Sequence, residues 1–318
     1  MLLNLKRLLI IWFMDEKIHD NFRSQKQLFS ACTNRMSRLV KLAFLGILLV
    51  ALLGCSPLTL VNSIAPDHGF KVEQGISYGP QERQKLDVYY PEVKRPLAPV
   101  IVFFYGGSWR RGDRERYRFV GQAMSSRGYL TVIPDYRLYP EVQFPAFVED
   151  GAVSIAWIKQ NIAQSKNGII LIGHSAGAHL AALLALDDRY LHDEGVMKNS
   201  ISGMIGLAGP YAFEPERYRR FKPIFATAEP ADLSKPISYA RADAPPLLLL
   251  HGTDDRVVLP LHSQLLQERM DAEAGRVKRL ELQGVDHFGI VLALSEPFAH
   301  LAPSLLPNIE TFIQEQIL

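Results

Sequence analysis

Gly173-His174-Ser175-Ala176-Gly177 sets a serine between two glycines. An apolar run, Gly168 to Ile172, leads into it, and an alanine-rich run from Ala178 to Leu186 leads away. On a tight strand-to-helix corner of this kind the serine hydroxyl is pushed outward, where it can attack a carbonyl carbon. Side chains at the two flanking positions would crowd the turn, so glycine belongs there. The first amides of the following helix point at the oxygen that becomes negative during acyl transfer.

A serine hydroxyl reacts only when a base takes its proton, and the base needs an acid to hold its tautomer. Two later strand ends supply both types. Leu247–Leu250 runs into His251-Gly252-Thr253-Asp254-Asp255, and Val277–Gln283 runs into Gly284-Val285-Asp286-His287-Phe288-Gly289. Of the nine histidines, His287 alone combines the order serine, acid, histidine with a glycine-rich loop after a strand. The acid is Asp255 or Asp254. Asp286 is the weaker third choice, because it neighbours His287 in the chain and would point elsewhere. His174 and His251 read as locally packed or hydrogen-bonded, and His179 as structural. His19, His68, His192, His262 and His300 have no partner pattern. Two or three converging backbone amides are needed for the oxyanion. Ala176 supplies one, and the loop Phe104-Tyr105-Gly106-Gly107-Ser108-Trp109 offers those of Gly107 and Ser108.

These loops need a scaffold, and the pattern predicts one. Eight strands are expected at Lys71–Tyr78, Lys85–Tyr90, Val100–Tyr105, Tyr129–Asp135, Gly168–Gly173, Ile201–Ala208, Pro246–Gly252 and Val277–Gln283. Helices are expected at Glu115–Arg127, Phe147–Gln164, Ala176–Leu186, Leu261–Ala274 and Ser304–Gln316. Strands alternating with helices imply a doubly wound, mostly parallel α/β sheet, and the first two strands, with no helix between them, imply an antiparallel edge. Pro210–Arg241, rich in proline, arginine and aromatics, interrupts the rhythm and reads as a small cap insertion. Ser56 to about Phe70 reads as a loop or linker.

The chain has 318 residues, 48% of them apolar, enough for one large core. Residues 1–54 carry eight Lys/Arg and three Asp/Glu, so the net charge of +2 leaves the remainder at −3. A body of that charge has no electrostatic footprint for nucleic acid. No cluster at metal-ligand spacing and no Gly-rich phosphate motif occurs, so neither metal nor organic cofactor is expected. Starting from Met36, Arg38 and Lys41 precede an apolar run from Leu42 to Leu53, too short for a membrane span and suited to a signal sequence. It ends in Leu52-Leu53-Gly54-Cys55, which resembles the lipobox of bacterial lipoprotein precursors. That resemblance implies a signal peptide over 36–54, lipidation of Cys55 and attachment to the membrane through the anchor. Ser56 after the cysteine favours the outer membrane, with the protein facing the periplasm. Residues 1–35 read as an upstream extension outside the fold. Cys32 lies before the cleavage point, so the mature body would hold no internal disulfide.

From about Lys71 to Leu318 the chain resembles the α/β-hydrolase superfamily, in the esterase/lipase branch with an HGG(G/x)W oxyanion loop. The match extends to Gly112 and Asp113, to Asp135-Tyr136-Arg137-Leu138-Tyr139-Pro140, to Phe144-Pro145-Ala146 and to Asp150. In that branch the acid follows the pattern Gly-x-x-Asp, which here selects Asp255. Tyr105 stands where the branch has a histidine that orients the loop; in this the chain resembles more closely the isoprenylcysteine methylesterase-like and kynurenine-formamidase-like relatives, whose loop tolerates variation there, and the branch resembled is also BD-FAE-like. The resemblance implies a serine carboxylic-ester hydrolase acting on a small or medium ester, with Ser175, His287 and Asp255 as its triad. The alternatives are an arylformamidase-type amide hydrolase, which uses the same machinery, and a catalytically inactive binding lipoprotein. Nothing in the sequence sets the oligomeric state.

Overall fold

The computed structural model describes residues 57–317, so the signal region and Cys55 lie outside the described residues. Eight strands form one sheet: β1 (Phe70–Ser77), β2 (Lys85–Pro91), β3 (Val100–Phe104), β4 (Thr131–Pro134), β5 (Ile169–His174), β6 (Ile201–Leu207), β7 (Leu247–Gly252) and β8 (Val277–Leu282). Their spatial order is β1-β2-β4-β3-β5-β6-β7-β8. β1 and β2 pair antiparallel, as do β2 and β4, and every later pairing is parallel. This is the α/β-hydrolase fold, with the antiparallel edge expected from the missing early helix.

The helices are α1 (Pro57–Ile64), α2 (Arg118–Ser125), α3 (Ala146–Asn161), α4 (Ala176–Leu186), α5 (Asp188–Asp193), α6 (Leu261–Ala272), α7 (Gly289–Leu292) and α8 (Leu305–Glu315). β3, β5 and β7 are buried along their whole length, as expected of strands covered on both faces. All eleven residues of α4 are buried, which explains its uniformly apolar composition: it packs against β3, β5, β6 and α3 and has no solvent face.

The structure departs from the sequence reading before β1 and after β3, and adds two short helices, α5 and α7, that the sequence pattern did not predict. The stretch from Ser56 to Phe70 is not a plain loop, because α1 docks on the body. Val61 and Ala65 are buried, Leu58 packs against the core, and Asn62 bonds both the Glu115 carbonyl and the Phe119 amide. Apolar residues at 58, 61 and 65 have helical spacing, a signal blurred by the apolar Leu60 and Ile64 between them, which break up a single stripe. The helix expected from Glu115 to Arg127 is split into a 3₁₀ turn, Arg114–Tyr117, and the shorter α2, the turn being capped by the Asp113 side chain. Pro210–Arg241 contains four single 3₁₀ turns, because prolines at 215, 223 and 236 each restart the chain.

Two fully buried histidines tie layers together. His179 of α4 donates from Nε2 to the Ser234 carbonyl at 2.7 Å, joining the helix to the 210–241 segment. His174 closes β5 and donates from Nε2 to the His287 carbonyl at 2.9 Å. Burial pushes His174 down to about 3, with the neighbouring His287 adding to the effect, and burial pushes His179 down to about 4. Both therefore stay neutral in the folded protein at pH 5, whereas the same residues in the unfolded chain take up protons below about 6.5. The unfolded state then binds more protons, so stability falls as pH drops through this window. Urea unfolding at pH 7 and pH 5 should show a loss of about 2 kcal/mol for each of the two histidines. His179→Gln, which keeps a donor for Ser234, should recover about half of it.

Candidate active site

The parallel register brings the ends of β3, β5, β7 and β8 to one edge, and the loops that follow them meet there. Ser175 sits on the corner between β5 and α4 with φ 55° and ψ −120°, a backbone state that a non-glycine residue holds only under constraint. The constraint is the lack of space around it. A Cβ at Gly173 would lie 2.4 Å from the Gly177 carbonyl, and one at Gly177 would lie 2.0 Å from the Phe104 carbonyl. The corner can therefore press against β3 only with glycine at both positions.

His287 lies on the loop after β8. Its Nε2 is 2.9 Å from Ser175 Oγ and its Nδ1 is 2.7 Å from Asp255 Oδ2. With Nδ1–H donating to the carboxylate, Nε2 is the acceptor for the serine hydroxyl. Asp255 is buried on the loop after β7, and its other oxygen accepts from the Val257 and Val258 amides at 2.9 Å each. Burial alone would raise this carboxyl. Hydrogen bonds from His251 and His287, the charge of His287 and the Val258 amide outweigh it and hold Asp255 well below the usual carboxylate range. Asp254 faces solvent and does not join the relay. Asp286 accepts from the Phe288 and Gly289 amides and caps α7.

Of the three amides named from the sequence, those of Ser108 and Ala176 belong to residues that line the cavity beside Ser175, and Gly107 directly precedes Ser108. Among the hydrogen bonds of the described residues, the Gly107, Ser108 and Ala176 amides donate to nothing in the protein. Gly106 passes so close that a Cβ on it would be 3.0 Å from Ser175 Cβ. Gly107 has φ 140° and Ser108 φ 57°, the backbone twist that turns this loop over the serine. A cavity of about 160 Å³ opens beside Ser175, Ser108 and Ala176, and Phe213, Tyr218 and Phe221 of the 210–241 segment wall it opposite Val257 and Leu259. Among the described residues no group of three or more His, Cys, Asp or Glu side chains is placed to hold a metal ion.

The sequence reading named Tyr105, Trp109, Asp135 and Asp150 only as motif matches and missed Arg83, Gln84 and Arg114, which hold them in place. Tyr105, at the position of the family's loop histidine, is fully buried and donates to Asp135 Oδ1 at 2.6 Å while accepting from Arg83 at 3.0 Å. Its ring stacks on those of Tyr117 and Tyr136 at 5.4 and 4.8 Å. Arg114 closes the same network, binding Asp135 through its amide and guanidinium. Asp150 on α3 accepts from the amide and guanidinium of Arg137 and from Gln84. Asp135 thus braces the loop through Tyr105, and Asp150 fixes the adjoining Gln84 and Arg137. Trp109 packs against Phe147, His179, Phe213, Phe221 and Phe225, tying the loop to the 210–241 segment. His251 Nε2 lies 2.8 Å from the Val258 carbonyl and 3.3 Å from Asp255 Oδ2, behind the acid. His262 lines the cavity, where burial lowers its pKa.

Similarity to known proteins points the same way. Esterase LipC of Mycobacterium tuberculosis is 30% identical over 266 residues, covering 74% of this chain and 64% of that protein. The isoprenylcysteine alpha-carbonyl methylesterase ICME of Arabidopsis thaliana is 26% identical over 251 residues, covering 70% of this chain and 58% of that protein. The chain thus spans between half and two thirds of the length of these relatives. Among solved structures, esterase B from Lactobacillus rhamnosis, inhibited by a C4-C4 SN3 tributyrin phosphonate, superposes with a TM-score of 0.69. It is 20% identical, covering 87% of this chain and 96% of that one, a likeness of fold. Residues 86–270 match the BD-FAE family, and the chain belongs to that family.

Proposed function

We propose that this chain is a serine carboxylic-ester hydrolase acting on a small or medium ester. The observation that carries the reading is the continuous relay from Ser175 Oγ through His287 to Asp255, opening on a cavity lined by Ser108 and Ala176, whose amides, like that of the preceding Gly107, donate to nothing among the described residues. Ser175 attacks the ester carbonyl as His287 Nε2 takes its proton, and Asp255 stabilises the imidazolium that forms. The Gly107, Ser108 and Ala176 amides receive the oxyanion of the tetrahedral intermediate. His287 returns the proton to the departing alkoxide, leaving an acyl-serine and free alcohol. Water, deprotonated by His287, then attacks the acyl-serine, and collapse of the second tetrahedral intermediate releases the acid and restores the hydroxyl. The mostly apolar and aromatic wall suits an ester with little charge near its carbonyl.

The reading includes a lipid anchor at Cys55 on the cell envelope, supported by the basic, apolar and Leu-Leu-Gly-Cys sequence from Met36 to Cys55.

Ser175→Ala should lower kcat for p-nitrophenyl esters by about 10³-fold or more while leaving thermal unfolding unchanged. Near-native activity in that variant overturns the assignment. Assaying an aryl formamide alongside an acyl-chain series separates ester from amide preference, and a fluorophosphonate probe should label wild type but not the variant. Asp255→Asn should cost orders of magnitude in kcat by stabilising the wrong His287 tautomer, while Asp254→Asn should cost little. The reverse ranking would make Asp254 the acid. Expressed in a bacterium, wild type should incorporate radiolabelled palmitate and partition with membranes, and Cys55→Ser should do neither. Label that persists in Cys55→Ser removes the anchor and leaves the hydrolase reading untouched.

A further inference from the structure

Ten large apolar side chains are exposed among the described residues, and five of them lie on or directly beside the segments that form the Ser175 site: Tyr218 (52% exposed), Val257 (64%), Leu259 (55%), Leu261 (51%) and Phe288 (61%). Tyr218, Val257 and Leu259 also line the cavity itself. Leu261 follows directly at the start of α6, and the Phe288 ring stands edge-on to His287 at 5.3 Å. Packing does not explain this concentration, since a side chain placed for the core is not left half in water. A soluble substrate does not require it either, because the apolar surface continues past the cavity onto the outer rim.

The charge on the rim identifies what would cover it. The 210–241 segment reaches the mouth with Arg217-Tyr218-Arg219-Arg220-Phe221-Lys222, in which cations alternate with the aromatics that wall the cavity. Arg217 is paired with Glu214, but Arg219, Arg220 and Lys222 are exposed and form no ion pair among the described residues. Arg256, beside Val257 on the opposite lip, is likewise exposed and unpaired. The exposed acids adjoining the rim are Asp254, Asp286 and Glu216, the last paired with Lys235 at 3.7 Å, so positive charge predominates. Exposed aliphatic and aromatic side chains flanked by arginine and lysine are the combination that inserts into a lipid interface while binding anionic headgroups.

We propose that the mouth of the cavity docks on an anionic lipid surface and takes its ester from that surface. The proposal rests on the hydrolase reading above and makes the substrate amphiphilic, with its acyl chain passing from the membrane between the two apolar lips to Ser175. Substrate is thereby concentrated at the mouth, and attraction between Arg219, Arg220, Lys222 or Arg256 and the headgroups sets the orientation.

The test compares the full chain with two full-chain variants, Arg219→Glu/Lys222→Glu and Leu261→Ser, none of whose altered residues lines the cavity. All three proteins share residues 1–56, so any membrane affinity of that segment cancels. Two substrates are used: p-nitrophenyl acetate in water, and p-nitrophenyl decanoate carried in vesicles of phosphatidylcholine alone or mixed with phosphatidylglycerol. Wild type should hydrolyse the decanoate faster on the mixed vesicles, and 1 M salt should remove the advantage. The charge-reversal variant should lose about tenfold on mixed vesicles, and Leu261→Ser should lose rate on both kinds, while all three proteins hydrolyse acetate equally. Equal decanoate rates on the two vesicle types, or variants matching wild type on mixed vesicles, overturn the proposal, as does a rim that serves a protein partner and is indifferent to lipid. Failure to hydrolyse acetate in wild type overturns the hydrolase reading instead.

Discussion

The site depends on how closely the Ser175 corner approaches β3. Gly173 and Gly177 are in contact with carbonyls and Cα atoms of other turns, with no space for a methyl group at either. That contact holds Ser175 at φ 55°, a state that costs about 1–3 kcal/mol for a residue with a side chain. The buried α4 and the sheet hold the corner against this cost. Everything the site needs follows from the same contact. It aims the serine oxygen outward, it sets the first amide of α4 directly after Ser175, and it presses the corner against the loop that follows β3.

That loop is held from beneath and from above. Beneath it, Tyr105, Asp135 and Arg114 form a buried hydrogen-bonded network, stacked between two further tyrosines. Burial, then the negative charge of Asp135 and the adjacent Tyr136, raises the Tyr105 phenol well above its usual range, so it stays a neutral donor to the carboxylate. A tyrosine in place of the family's histidine therefore still anchors the loop, through a longer reach to an acid at the end of β4. Above it, Trp109 joins five rings from α3, α4 and the 210–241 segment. The segment that walls the cavity is thus mechanically continuous with the loop that carries the amides.

Three histidines surround the relay in distinct settings. His287 joins Ser175 to Asp255, His174 supports the His287 backbone from β5, and His251 stands behind Asp255 at the end of β7. His174 is kept uncharged by burial, so a cation does not form beside His287 in competition with it. Asp255, pulled the other way by its hydrogen bonds, remains ionised where the imidazole needs a negative partner.

Sequence alone determined the parts governed by local rules. Glycine spacing marked the Ser175 corner, because only a residue without a side chain fits there. Apolar runs marked the strands, because a strand covered on both faces has no polar positions, and the eight expected strands match those observed to within two residues at each end. The order of strand ends named Ser175, His287 and the Asp254/Asp255 pair without a structure, since α/β chains carry their ligand-facing loops at one edge of the sheet. Tertiary structure alone decided the rest. The resemblance to the Gly-x-x-Asp pattern already favoured Asp255, but the physical reason lies in the fold: Asp255 points inward and Asp254 outward because of how one loop packs after β7, which the order of strand ends does not reveal. α1 forms only because the body offers Val61 and Ala65 a surface to cover, and an eight-residue helix has too little cooperativity to be visible in its own sequence. The network beneath the oxyanion loop draws on residues from Arg83 to Asp150, and the apolar lips of the cavity come from segments about 40 residues apart. Contacts over such separations arise from chain topology, which local composition does not encode.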